Sequence, residues 1–165
     1  ALLLWSPLKK NGWDIRPVGD KKIRQSLTVV FSGAVFFMLM DVIIDPVAHM
    51  GDRWFLGKVY FYEEAGEYFN IPLTNFLGWF LVGTAILYGF TRVDRWLSGR
   101  LPETRCEVPA QALLGPGLYF GVLLFNLAVT FYIGEWALGI CGTAITLALL
   151  YLIHSKIRDP DKFTI

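Results

Sequence analysis

Long apolar runs separated by short charged stretches dominate the chain. The first carries no charge from 25 to 40, and its apolar character continues through 42–44 to Asp45, where Pro46 disfavours a helical conformation of the residue before it. The second, uncharged from 68 to 91, has Pro72 where a helix accepts proline in its first turn. From 108 to 153 the only charged residue is Glu135, so Gly134-Glu135 is the expected reversal between two helices.

Each run is long enough to cross a bilayer, because about 20 apolar residues span the roughly 30 Å of hydrocarbon as a helix. We therefore predict an all-α polytopic membrane protein, with residues 1–165 forming a single helical membrane domain. Its four transmembrane helices are expected at about 23–45, 72–91, 116–133 and 136–153.

The amino-acid composition supports a membrane protein and excludes several other classes of protein. Hydrophobic residues make up 55% of the chain, charged residues only 18%, and the mean hydropathy is +0.48. These values exclude a disordered chain, a coiled coil and a nucleic-acid-binding protein, and they disfavour a soluble enzyme. Two cysteines exclude a disulfide framework.

The distribution of charge predicts the orientation. Thirteen of the 15 Lys and Arg residues lie in the N-terminal segment up to Arg24, in the loop between the second and third helices, or at the C-terminus, whereas Arg53 and Lys58 lie on the opposite side. Because cytoplasmic loops are enriched in Lys and Arg, both termini are expected to be cytoplasmic.

Two acids at membrane depth are the first candidates for chemistry. Asp41 and Asp45 are four residues apart and so share a helix face, although an Asp at a helix centre costs about 2.5–3.5 kcal/mol on insertion scales. We expect that two carboxyl groups so placed do not ionise together, and a carboxyl group that stays protonated suits a general acid. The alternative is that Asp45 only marks the helix end and Asp41 pairs with an arginine or a buried amide.

The loop from 47 to 71 interleaves aromatic residues with acids, among them Trp54 and Tyr68. It is either an interfacial aromatic belt or a lid over the acid pair whose rings stabilise a cation. Asn75 and Trp79 share a face at the start of the second helix, where Asn75 either donates to a carboxylate or only joins two helices. In the third helix Asn126 and Thr130 are four apart, and with Glu135 they are candidates for the same cluster.

Several other chemistries lack a signal. His49 and His154 fall on opposite sides, and Cys106 and Cys141 have no metal-ligand spacing, so no zinc or haem site is expected. There is also no phosphate-binding glycine loop and no nucleophile elbow. A lone histidine remains a candidate ligand for chlorophyll magnesium.

Three segments resemble the carotenoid hydratase family, typified by bisanhydrobacterioruberin hydratase and gamma-carotene hydratase. They are DVIIDPVA at 41–48, followed by Trp54, then GEYFNIPLTNFLGW at 66–79, and NLAVTFYIGEWAL at 126–138. The resemblance covers about residues 35–150. It implies addition of water to the terminal carbon–carbon double bond of a linear carotenoid, with no redox cofactor or nucleotide required.

Spacing suggests the roles in such a reaction. A carboxyl group of Asp41 or Asp45 would donate the proton, and the other, with Asn75, would orient the water. Trp54, Tyr68 or Trp79 would face the cation. Asn126 and Glu135 complete the predicted substrate-binding set.

A second interpretation starts from the longer members of this family, whose additional N-terminal helices this sequence apparently lacks. It is a non-catalytic membrane subunit that binds carotenoid or chlorophyll within a photosynthetic or other pigment-protein complex. A third interpretation is a small transporter or an assembly factor. Expected partners are a linear carotenoid, membrane lipid and other membrane subunits, with no nucleic acid, in the inner membrane of a bacterium or archaeon.

Overall fold

The computed structural model describes residues 1–11, 14–17, 21–54, 56–57, 60, 62–63, 65–100 and 110–164. Four long helices account for most of them: α3 (Leu27–Ala48), α4 (Leu73–Ser98), α5 (Gln111–Tyr132) and α6 (Trp136–Arg158). Before them come α1 (Leu2–Trp5), an antiparallel hairpin of β1 (Leu8–Asn11) and β2 (Asp14–Pro17), and α2 (Lys21–Arg24); a 3-10 turn, Gly51–Arg53, follows α3.

All four long helices are long and apolar enough to cross a membrane, as predicted. Their ends differ from those expected at 23–45, 72–91, 116–133 and 136–153. The first begins later, since Ser26 caps α3 by accepting a hydrogen bond from the Val29 backbone N–H at 3.3 Å. It also continues past Pro46 to Ala48, and the His49 N–H donates to the Asp45 carbonyl at 2.9 Å. Pro46 lies in the last turn of α3, so the helix loses only the one hydrogen bond that the missing proline N–H would have donated.

The later ends of α4 and α6 have one cause: charged residues lie outside the hydrocarbon layer but do not end a helix. The early start of α5 has a different cause, a contact at its first turn. α4 extends to Ser98 through a charged stretch in which Asp94 pairs with Arg24 at 3.0 Å. α6 likewise continues to Arg158. α5 begins five residues before Pro116, where the Asp14 carboxylate accepts a hydrogen bond from the Ala110 N–H at 2.9 Å.

α3 is the shared element of the bundle. On one side it packs along α4, where the two backbones come close at Ala34 and Gly83: a Cβ added to Gly83 would lie 3.4 Å from the Ala34 Cα. On another side it packs against α5 and α6. There Ile43 joins a buried core with Leu123, Leu127 and Leu149.

The two ends of the bundle differ in structure. At the hairpin end, α1 and the β-hairpin pack on the start of α5 and the end of α6 through Leu3, Leu8, Ile15 and Ala112. At the loop end, the 3-10 turn after α3 meets the α5–α6 reversal, where Arg53 pairs with Glu135 at 2.7 Å. The cytoplasmic location of the termini stays a prediction.

Candidate functional site

Three of the predicted site residues meet near the loop end, at the interface of α3 and α4. The Nδ2 atom of Asn75 donates to Oδ2 of Asp41 at 3.0 Å and to Oδ2 of Asp45 at 2.8 Å. Asp45 is only 7% exposed, and Asp41 is partly buried. Because an amide nitrogen carries two hydrogens, both donors of Asn75 are used and the Oδ1 atom of each carboxyl group is left to hold a proton or a water.

A tight turn before α4 fixes the position of Asn75. Tyr68 and Ile71 exchange backbone hydrogen bonds of 3.1 and 2.8 Å, and Phe69 and Asn70 between them have φ of 48° and 68°. Positive φ at both central residues is what a type I′ turn requires. Asn tolerates this conformation, but for a bulky Phe it is rare and strained, by about 1–3 kcal/mol.

The turn leads directly into the first turn of α4. Gly66 packs against the backbone of Ile71 and Pro72 so closely that any Cβ there would overlap it. Glu67 accepts a hydrogen bond from the Leu73 N–H at 3.2 Å, and backbone donors hold the pKa of Glu67 below its usual value. A negative charge at a helix N-terminus is favourable. The turn and this contact together fix the direction in which α4, with Asn75 in its first turn, begins.

Aromatic rings cover the end of α3 next to the acids. His49 lies one turn after Asp45, with its ring centroid 6.1 Å from that of Tyr60 and 5.5 Å from that of Tyr62. The Tyr60 hydroxyl approaches the Asp45 carbonyl at 3.5 Å. Burial and then the charges of Asp45 and Asp41 raise the pKa of Tyr62, so its hydroxyl lies within electrostatic reach of both carboxyl groups. We call His49, Tyr60 and Tyr62 the ring cluster.

A second aromatic pair lies deeper along the same interface. Trp79, one turn after Asn75, meets Phe37, one turn before Asp41, edge to face with 5.5 Å between ring centroids. Both side chains remain more than a third exposed. One turn further along α4, Gly83 packs so closely against this pair that a Cβ there would lie 2.9 Å from Cδ1 of Phe37. The acids therefore have polar rings on one side and an apolar aromatic surface on the other.

The remaining predicted residues occupy different places. Tyr68 packs on Phe76 at the start of α4, and burial raises the pKa of its hydroxyl group. Trp54 ends the 3-10 turn and is partly buried. Glu135 pairs with Arg53, which also donates to the Ile133 carbonyl and so links the loop after α3 to the end of α5.

Asn126 is buried in α5, together with Thr130. Its Nδ2 donates to the Val122 carbonyl at 3.0 Å, and Thr130 donates to the Asn126 carbonyl at 2.7 Å. In the described part of the chain the Asn126 Oδ1 has no hydrogen-bond partner. A buried acceptor of this kind is a place for a water or a hydroxyl group.

Sequence reasoning overlooked His49 and Phe37 as parts of this site. A signal existed for both, because residues 37, 41, 45 and 49 follow each other at intervals of four and so lie along one face of α3. Of the cysteines, Cys141 is exposed on α6, whereas Cys106 lies outside the described residues.

Comparison with known proteins identifies the family but not the reaction. Neither the curated proteins nor the solved structures give a match. The family described as carotenoid biosynthesis protein matches residues 3–149, which is most of the chain and includes every residue of the site. The chain therefore belongs to the carotenoid biosynthesis protein family.

Proposed function

We propose that the protein is a carotenoid hydratase, which adds water to the terminal carbon–carbon double bond of a linear carotenoid. The observation that carries the proposal is the bridge from Asn75 to Asp41 and Asp45. It puts two carboxyl groups side by side at membrane depth, where an apolar substrate dissolved in the bilayer reaches them. Membership of the carotenoid biosynthesis family supports this substrate class.

The reaction needs one acid, one base and one water. A protonated carboxyl group of the pair transfers its proton to the less substituted alkene carbon, which leaves a tertiary carbocation at the other carbon. Water then forms a C–O bond to that carbon and releases a proton to the second carboxylate, so the product is a tertiary alcohol. No electrons are exchanged, and the reaction requires no redox cofactor.

The surroundings of the acid pair suit these steps. Asn75 keeps the two carboxyl groups in a fixed relation, which favours proton donation by one and water activation by the other. The exposed faces of Trp79 and Phe37 offer apolar surface for the polyene and negative ring quadrupoles for a nearby cation. Trp54, Tyr68, Asn126 and Glu135 remain proposed substrate-binding residues.

The direct test is Asp41→Asn and Asp45→Asn in a membrane system that makes the linear carotenoid. We expect each change to abolish the hydroxylated carotenoid, measured by chromatography and mass spectrometry. Asp52→Asn is the matched control, because it removes an exposed acid from the same loop end. Unchanged product in both site variants would refute the proposal.

The second interpretation, a non-catalytic subunit that binds carotenoid or chlorophyll in a pigment-protein complex, predicts a different result. The purified protein would then form no alcohol from added carotenoid, and it would co-purify in fixed ratio with pigment-bearing membrane subunits. For either function we propose the inner membrane of a bacterium or archaeon as the location.

A further inference from the structure

The proposed reaction requires proton transfer to and from the acid pair. In each turnover one carboxyl group loses a proton to the alkene and the other gains a proton from water. The pair therefore ends with its proton on the opposite carboxyl group, and must exchange it before the next turnover. Hydration consumes one water and no net proton, because the attacking water returns to the pair the proton that the alkene took. An apolar carotenoid brings no water, so water must reach the pair from the aqueous side, and the proton must return to the first carboxyl group by exchange along that route or within the pair.

α3 extends a line of proton-binding side chains toward that side. Asp41, Asp45 and His49 occupy successive turns of one face, about 6 Å apart along the axis. Asp41 is the deepest of the three and His49 follows the end of the helix. Histidine is suited to the outer position because one ring nitrogen can accept a proton while the other releases one.

The surroundings of His49 leave one of its nitrogens available. Its Nδ1 is buried, and no described residue makes a hydrogen bond to it. A buried ring nitrogen without a partner is costly, and a water or a transferred proton would satisfy it. Among the described residues, the two tyrosines of the ring cluster pack against its ring, and Asp45 lies one turn before it on α3.

Tyr62 packs against His49 at the end of α3. Its ring packs on His49, with 5.5 Å between centroids, and on Tyr60, with 5.7 Å, and the Tyr60 hydroxyl group lies 3.5 Å from the Asp45 carbonyl oxygen. A phenol hydroxyl both donates and accepts hydrogen bonds. It can therefore link the imidazole to a carboxyl oxygen, directly or through a water.

We infer that His49 and Tyr62 form the proton path between the aqueous side and the Asp41–Asp45 pair. The inference rests on the proposed function for its purpose, but the path is a property of the protein alone. Neither residue touches the substrate in this assignment. Both act through the carboxyl groups.

Hydrogen–deuterium exchange of the carboxyl groups tests the path without catalysis. The infrared band of the protonated pair, identified by its loss in Asp41→Asn and Asp45→Asn, is followed after the purified protein is moved into D2O. We expect His49→Phe, which keeps an aromatic ring but has no ring nitrogen, to slow the exchange about tenfold or more, given that acid–base groups typically contribute 10²–10⁴. His154→Phe is the matched control, since it removes the other histidine, exposed on α6.

Two further variants and one rescue keep the test decisive. Tyr62→Phe retains the ring and should also slow the exchange, and it serves if His49→Phe does not fold. In product assays, added imidazole should restore part of the activity lost in His49→Gln, which a merely structural role would not allow. Exchange at the wild-type rate in both His49→Phe and Tyr62→Phe would overturn the inference. If instead wild-type protein makes no alcohol, the proposed function fails, and the exchange rates still decide about the path.

Discussion

At the residue scale, Asn75 is the group on which the geometry of the acid pair depends. Two acidic side chains one helical turn apart repel each other when both are charged, and a neutral amide with two donors holds them together without adding a charge. A lysine or arginine in this place would keep both carboxyl groups ionised. An amide leaves room for one of them to carry the proton that the reaction needs.

Replacing Asn75 tests this reasoning. Asn75→Leu has a similar volume and removes two hydrogen bonds to carboxyl groups, each of a class worth about 1.5–3 kcal/mol. We expect the rate of alcohol formation to fall about tenfold or more, since 1.4 kcal/mol corresponds to a factor of ten in rate. The readout is the initial rate in detergent-solubilised protein.

The adjacent Thr74 provides the comparison. It is exposed in the same turn of α4, so Thr74→Val should leave the rate within about twofold of wild type, as expected for a surface change away from the site. Equal rates in Asn75→Leu and wild type would show that the bridge has no part in the reaction.

What the sequence could predict at this scale followed from periodicity. Asp41 and Asp45 are four apart in a regular helix and so share a face. Asn75 opens the next helix, which starts at the membrane side where the first one ends, so its approach to the acids was also open to prediction. The positions of Tyr60 and Tyr62 could not be predicted, because residues in a loop do not repeat their orientation at a regular interval. They depend on where the chain crosses the end of α3.

At the element scale, the site depends on how closely α3 and α4 approach. Their backbones come together at Ala34 and Gly83, two turns from Asn75 along α4, and the pair Phe37 and Trp79 fills the space between this crossing and the acids. In a membrane, small residues allow such close packing, which is a main source of helix association there. A larger side chain at the crossing would separate the helices and lengthen the Asn75 contacts.

Gly83→Leu should therefore reduce both stability and activity. A Cβ at this position already lies 2.9 Å from the Phe37 ring, and overpacking of this kind typically costs about 1–3 kcal/mol. We expect a lower midpoint of thermal unfolding and a slower rate of alcohol formation. Gly89→Leu is the control, because it lies in the same helix with open space around the added Cβ. Equal behaviour of the two variants would mean that the crossing does not position the site.

Helix ends were harder to predict than helix existence, for a physical reason visible at α4 and α5. Loss of apolar character marks where hydrocarbon ends, but a helix persists as long as its backbone bonds and end contacts are satisfied. Arg24 and Asp94 support the charged last turns of α4, and Asp14 supports the start of α5 ahead of Pro116. Both contacts join residues 70 or more apart in sequence, and no local pattern indicates them.

At the scale of the whole molecule, α3 divides the protein into two parts with different tasks. Toward α5 and α6 it contributes Ile43 to a buried apolar core, and toward α4 it presents the acids. The side of the site formed by Phe37 and Trp79 is partly exposed, so a bilayer-dissolved polyene can approach laterally. Arg53 and Glu135 connect the two parts at the loop end by an exposed pair, a class of contact worth about 0–1 kcal/mol.

The orientation of this assembly decides which aqueous side supplies the site. The charge distribution predicts that the hairpin end is cytoplasmic and that the ring cluster faces the other side. Cysteines placed at exposed positions test this with a membrane-impermeant thiol reagent, in a background in which Cys106 and Cys141 are replaced by alanine. Asp52→Cys at the loop end should label in intact cells, whereas Asp161→Cys, after α6, should label only once the membrane is opened. The opposite pattern would invert the topology and make the cytoplasm the source of protons for His49.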